Sequence, residues 1–405
     1  MYQLFEVFGI ELEYMIVDSS SLSIKPIADK ILIDSEGKIS SDILRGPITW
    51  SNELAAHVIE LKTTDPVQTL EKLDLEFLKS ITEINSLLAE QQAILLSSAC
   101  HPFMNPKEEC HLWQHEWSEI YNLYNKLFDC RAHGWVNLQS IHLNLPFKGD
   151  QEFAKLHSAI RVILPLLPAL AASSPVLEGQ NLQIKDMRLH YYLNHQTRVK
   201  STMGEVIPDA IQTEAEYKKM IWEPIERDIE KLGCKGVLNP VVFNARGAIA
   251  RFDRGSIEIR LLDIQESPVA DLAILSLIIE VLKDLVAEKH STSKQQSAIS
   301  TQSLRQLLDQ TLIQAEQTSL PDKDLVNLFG IDRKLQTIND FWQELYQRHS
   351  AKFSKEYQKA LNHILTNGTL ATRISNKLGE NFDHNTLKNE YLALSDCLAQ
   401  NKLYA

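Results

Sequence analysis

Residues 8–17 read FGIELEYMIV, and their alternation decides the fold class. In an extended strand, side chains two apart share a face, so Gly9, Glu11 and Glu13 point one way while Ile10, Leu12, Tyr14 and Ile16 point the other. Two carboxylates therefore stand together on an otherwise apolar strand. The device recurs three times. In HVIELK (57–62), Glu60 and Lys62 oppose Ile59 and Leu61; in SIHLNLPF (140–147), His142 and Asn144 oppose Ile141, Leu143 and Leu145; in GSIEIRLLD (255–263), Glu258 and Arg260 oppose Ile257, Ile259 and Leu261.

An antiparallel sheet with one wet face shows this alternation for no reason beyond solubility. Such a face is ordinarily filled with Thr, Ser, Lys and Gln, whereas these four strands carry Glu, His, Asn and Arg. If the strands share a sheet, their carboxylates converge. At an effective dielectric near 20, a like-charged pair about 4 Å apart costs about 4 kcal/mol without a counter-charge. Mg²⁺ or Mn²⁺ would supply that counter-charge, since both favour hard oxygen ligands. A carboxylate-lined metal site beside an arginine suits phosphoryl transfer, the metal spanning phosphate oxygens and the guanidinium taking developing charge.

Outward from these strands, residues 1–64 read mostly as strands and turns. A helix is expected from Asp65 and Pro66, with Val67, Leu70, Leu73, Phe77, Ile81, Ile84 and Leu88 on its apolar stripe. AILLSSA (93–99) reads as a buried strand, 111–130 as an aromatic-rich helix, 134–147 as strand, and 151–173 as a helix that Pro165 and Pro168 interrupt. A second strand group spans 237–264 with DRGS as its turn. From Pro268 the pattern is helical, with a polar break at 290–300 and further helices near 302–316, 337–348, 354–366 and 385–400. Strands, helix, strands, then helices argue for an α+β catalytic core over 1–270 carrying a helical portion over 271–405, rather than a doubly wound sheet.

The 405 residues hold 53 acids against 41 bases, a net charge of −12, which disfavours nucleic acid or an anionic membrane as partner. With 44% apolar and 23% charged residues the composition is that of an ordinary globular chain. Five scattered cysteines without CxxC spacing suggest no disulfide framework, and a cytoplasmic location is expected because no signal or membrane-spanning stretch is seen. GxGxxG and GxxxxGK[ST] are both absent, so a bound nucleotide would not use the common glycine-rich cradles.

GIELE (9–13), ITWSNELAAHVIELKT (48–63), SIHLNLPF, LAASSPVLEG (170–179) and SIEIRLLD (256–263) occur in an order that resembles the glutamate-cysteine ligases, most closely their second family, the short bacterial carboxylate-amine ligases. The blocks cover roughly 5–18, 47–66, 137–190 and 244–271; the helical last third is not matched motif by motif. The resemblance implies a glutamine-synthetase-like fold, a curved, mainly antiparallel sheet with one polar catalytic face and helices on the other. It implies ATP and Mg²⁺ (or Mn²⁺), with amide formation through an acyl phosphate between an amino acid such as glutamate and an amine such as cysteine. By position, Glu11, Glu13, Glu53, Glu60, His142 and Glu258 match the metal-side residues, and Arg260 the arginine that stabilises the transferring phosphoryl group. Arg188 corresponds to an arginine that holds substrate or phosphate. Arg246, Arg251, Asn144 and Lys62 are candidates for nucleotide contact, and the charge of Lys62 beside Glu60 could take over part of a metal's role. Relatives of this fold often associate, so a homo-oligomer is an expectation. Two alternatives stay open: a nucleotide- or amino-acid-binding protein without turnover, and a metal-dependent hydrolase using the same acids.

Three rival sites carry less. Cys110, His111 and His115 have helix spacing but lack a complete HExxH. Cys100 and His101 are adjacent and in a strand would face apart. SSP (173–175) lacks the GxSxG elbow and reads as a helix-ending turn; Trp113, Trp117, Tyr121 and Tyr124 read as helix packing.

Overall fold

The computed structural model describes residues 2–234, 240–320, 323–332 and 335–405. Among the described residues ten strands form in chain order: β1 (Gly9–Asp18), β2 (Asp42–Arg45), β3 (Ile48–Asn52), β4 (Val58–Thr63), β5 (Ala93–Leu96), β6 (Ser140–Pro146), β7 (Val176–Leu177), β8 (Gln180–Asn181), β9 (Ala248–Arg251) and β10 (Ser256–Asp263). Eight build one sheet in the order β2-β3-β4-β1-β6-β10-β9, with β5 pairing the second half of β1; β7 and β8 form a small separate hairpin. Every ladder is antiparallel. All four alternating stretches lie in this sheet, with β1, β4, β6 and β10 at its centre.

Their apolar faces do the packing. Ile10, Leu12, Tyr14, Ile59, Leu61, Ile141, Leu143, Leu145, Ile257 and Ile259 are fully buried in one core with Phe77, Ile81, Phe153, Leu156, Leu272 and Leu275. Those partners come from the helices Leu73–Ala89, Gly149–Ile163 and Pro268–Val286, so helices cover one face of the sheet. The last of these is a nearly all-round apolar helix, begun by Pro268 in its first turn, and it packs against Lys355–Asn367 of the helical carboxyl-terminal part. Among the described residues no helix is long and apolar enough to cross a membrane.

The expected proline interruption occurs: the helix ends at Ile163, Leu164–Leu166 is 3₁₀, and a new turn spans Pro168–Ala171. Five expectations are corrected. The first helix starts at Leu73, not at Pro66, because Val67 exchanges backbone hydrogen bonds with Phe8 (2.7 and 2.8 Å) and is held extended. Of 111–130, only Ser118–Phe128 is helical; before it Leu112 bridges Ala55, and Trp117 has a left-handed φ of 72°. Of 134–147, the strand begins at Ser140, after the helical turn His133–Val136. Of the strand expected over 237–252, residues 237–239 lie outside the described residues, Pro240–Phe243 is a helical turn, and β9 begins at Ala248. The polar break at 290–300 contains the helix Ser293–Ala298, started by a Thr292–Gln295 capping box.

Candidate active site

Sheet register sets the polar face. Glu13 on β1 stands opposite Glu60 on β4; Glu11 stands between Lys62 on β4 and His142 on β6; Gly9 is opposite Asn144, which is itself opposite Glu258 on β10. Glycine suits position 9 because a Cβ there would lie 3.0 Å from that of Asn144. Between Ile259 and Leu262 the β10 ladder slips by one residue, a bulge of the kind that re-aims a side chain, and Arg260 sits in it.

The acids are individually supported. Glu11 receives the Asn144 amide at 3.0 Å and lies 2.8 Å from His142 Nδ1. Glu13 receives both the backbone N–H (2.7 Å) and the hydroxyl (2.9 Å) of Ser140. Glu53, just past the end of β3, comes in from the side. Ligand atoms of Glu11, Glu60 and His142 lie within 4.8 Å of one another, and so do those of Glu13, Glu53 and Glu60. Glu60 belongs to both groups.

This crowding shows in the protonation of each group. Burial, then the charge of Glu13, raises Glu53 to about 7. Burial, then Glu11 and Glu53, pushes Glu60 well above the carboxylate range. Burial alone would raise Glu11, but the hydrogen bond and charge of His142 bring it down to about 2. His142 would fall on burial, yet Glu11 and Glu13 lift it to about 9. Without a cation, burial and neighbouring carboxylates thus favour the protonated forms of Glu53 and Glu60. The donor set, four carboxylates and one imidazole in two groups sharing a carboxylate, fits hard divalent ions such as Mg²⁺ or Mn²⁺.

The other expected residues divide. Lys62 lies 2.9 Å from Asp42 and 3.3 Å from Glu60, flanking the cluster. Arg260 closes the other side, ion-paired with Glu258, and its Nε is buried with no acceptor among the described residues. Glu258 thus stands outside both metal-spaced groups. Arg188 lines the cleft but is bound to Asp263 at 2.5 Å, both side chains buried, so its guanidinium braces the end of β10. Arg246 is turned to Asn244 and Ser201, and Arg251 to Asp253 at the turn; neither reaches the cluster.

Acids and Arg260 form one wall of a cleft of about 360 Å³. The same cleft is lined by Tyr121, Tyr124, Trp135, Tyr192, His195 and Gln196, which sequence reading missed or took for helix packing. Tyr121 is fixed by the Asn52 amide at 3.0 Å, and Tyr124 donates to the Val242 carbonyl at 2.7 Å. Ser140 was legible, since it shares a strand face with His142; Tyr121 and Tyr124 come from the aromatic-rich helix, whose spacing signals packing, while Trp135, Tyr192, His195 and Gln196 come from segments with no pattern of their own.

The rival sites dissolve. Cys110 and His111 precede the helix, and His115 faces Asp29 at 3.5 Å. The Cys100 thiol is buried and pushed up, donating to the Asn137 carbonyl. Ser173 and Ser174 both serve Asp263.

The family profile described as glutamate-cysteine ligase family 2 matches residues 7–392. An uncharacterized protein of Archaeoglobus fulgidus is 33% identical over 280 residues, 68% of this chain and 74% of its own. In fold, the chain is similar to a glutamate–cysteine ligase of Francisella tularensis solved in complex with AMP (TM-score 0.60, 13% identity, covering 99% of this chain and 90% of that one). It is also similar to a bifunctional glutathione synthetase of Pasteurella multocida (TM-score 0.64, 12% identity), covering 98% of this chain and about half, 53%, of that longer one. With the alternating strands, the shared polar face and a match over nearly its whole length, the chain belongs to glutamate-cysteine ligase family 2.

Proposed function

We propose that the protein is an ATP-dependent carboxylate-amine ligase that joins the γ-carboxyl of glutamate to an amine such as cysteine. A carboxylate oxygen attacks the γ-phosphorus of ATP, giving an acyl phosphate and ADP. The amine nitrogen then attacks the acyl carbon, phosphate leaves, and one proton is lost from nitrogen. The observation that carries this reading is the pair of metal-spaced groups, Glu11–Glu60–His142 and Glu13–Glu53–Glu60, beside the buried, unpartnered Nε of Arg260.

Those two groups would hold Mg²⁺ or Mn²⁺, which when bound neutralise phosphate oxygens and orient them for in-line transfer. The chain's own residues have separate tasks. Asn144 and Ser140 fix the carboxylates of Glu11 and Glu13. Lys62 offsets Glu60 from the flank. Arg260, held by Glu258 and by the β10 bulge, is placed to meet charge on a transferring phosphoryl group or on the tetrahedral oxyanion. The Francisella relative's AMP supports an adenine nucleotide as ligand.

The test is ADP release from MgATP with glutamate and a panel of amines. Release that requires both acid and amine supports the reading, and Arg260→Ala should cut it by about 10²–10³-fold. Phosphate release that needs no amine would favour a hydrolase. ATP·Mg binding with no product under saturating substrates would favour a binding protein.

A further inference from the structure

The cleft's lining carries a hydrogen-bond relay, Tyr192–His195–Gln196, that the proposed phosphoryl chemistry does not use. Tyr192 ends the helix Met187–Tyr192, and its carbonyl, which can only accept, lies 2.6 Å from His195 Nδ1. Nδ1 therefore carries the hydrogen. Burial, opposed by that bond and reinforced by Arg260, holds the ring down to about 4, so the imidazole is neutral at pH 7 and Nε2 is a lone pair. The side-chain nitrogen of Gln196 is 3.2 Å from Nε2 and donates to it. This fixes the amide orientation and leaves Oε1 as the free end.

That oxygen is an unpartnered acceptor in the cleft, where the unpartnered Arg260 Nε and Tyr192 hydroxyl are both N–H or O–H groups. Gln196 is 4% exposed and lines the cleft, and its Oε1 receives no hydrogen bond from the described residues. A buried acceptor without a donor is costly, and native structures seldom tolerate one. The ring that orients it is built in firmly. Trp135 meets it edge-on at 4.8 Å, Tyr192 stacks on it at 4.6 Å, and Gly134 lets the backbone pass where a Cβ would lie 2.7 Å from that of His195. A ligand that satisfies Oε1 must bring N–H or O–H. In a cleft lined by the carboxylates of Glu11, Glu13, Glu53, Glu60 and Glu258 together with aromatic rings, a cation is favoured over a neutral donor.

We infer that Gln196 Oε1 accepts a hydrogen bond from a substrate ammonium group, borne by the amino acid whose carboxylate is activated or by the incoming amine. Gln196 is then a specificity-determining residue of the reaction proposed above, on which this inference rests.

The test is calorimetry on the full chain with Mg²⁺ and a non-hydrolysable ATP analogue. L-glutamate is compared with glutarate, and L-cysteine with 3-mercaptopropionate, each pair differing by the amino group. The wild type should prefer the amino form of at least one pair by tenfold or more, and that pair names the source. Gln196→Leu and Gln196→Met should bring the ratio to within twofold of unity, while Gln196→Glu, which keeps an acceptor, should preserve it. A preference that survives both apolar variants overturns the inference. So does a wild type with no preference in either pair, or weakened binding of the nucleotide analogue alone, which would give the oxygen to the adenine amine. ADP release by the wild type reports separately on the ligase reading. Release that is indifferent to Gln196 would retain the ligase and discard the inference, and amino discrimination without release would do the reverse.

Discussion

Glu13 and Glu60 stand directly opposite each other across the β1–β4 ladder, both 7% exposed, and Glu53 brings a third carboxylate within 4.8 Å of them. Like charges opposed across strands destabilise a sheet, so the arrangement is kept at a cost to the metal-free fold. Glu53 is raised to about 7, first by burial and then by the charge of Glu13, so its shift carries both costs. Its folded pKa lies above its unfolded value of 4.5, so the penalty is absent near pH 4.5 and grows as pH rises toward 7. We expect Glu53→Gln, without divalent ions, to match wild-type stability at pH 4.5 and to exceed it by about 1–3 kcal/mol at pH 7. For a chain this long that is about one degree of Tm per kcal/mol. Mg²⁺ should then stabilise the wild type more than the variant. Equal melting curves at pH 7 would mean that neither burial nor Glu13 penalises the Glu53 carboxylate.

Arg188 and Asp263 form an ion pair with both side chains buried, and Ser173 N–H (2.9 Å) and Ser174 Oγ (2.8 Å) complete the carboxylate's bonds. Removing one partner strands the other charge in the core. Asp263→Ala should cost about 3–5 kcal/mol in denaturant unfolding. A loss under about 1 kcal/mol would show that Arg188 is free to serve substrate, as the family resemblance first implied.

His101 and His157 are held to about 4 and about 3, each chiefly by burial. Both folded values lie below the unfolded 6.5, so on acidification the unfolded chain takes up protons that the native chain refuses. Stability should fall by about 1.4 kcal/mol per pH unit for each histidine from about pH 6.5 down to about pH 4. Unfolding free energies at pH 6.5 and 5 for wild type and His157→Gln would check this. The variant's slope should be shallower by about that amount, and an unchanged slope would contradict it.

The central sheet was legible because period-two alternation is local: Glu11, Glu60, His142 and Glu258 declare their common face from neighbours two residues away. Which of them meet was not, since that depends on register between strands far apart in sequence. Glu258 shares the face yet is taken by Arg260, while Glu53, lying beyond its strand, joins the cluster. The helix expected at Pro66 failed for a similar reason, because Val67 is claimed by Phe8, some sixty residues earlier. Tyr124, Trp135 and His195 reach the cleft from three separate segments, each unremarkable alone.

The converged acids are expected to hold divalent cations against nucleotide phosphate. The decisive experiment is a crystal grown with Mn²⁺ and a non-hydrolysable ATP analogue, read at the manganese absorption edge. Anomalous peaks bridged by Glu60 are expected, one beside Glu11 and His142 and one beside Glu13 and Glu53, with oxygen ligands at roughly the 2.0–2.2 Å expected of small hard cations. Nucleotide bound in the cleft with no manganese at these carboxylates would contradict it.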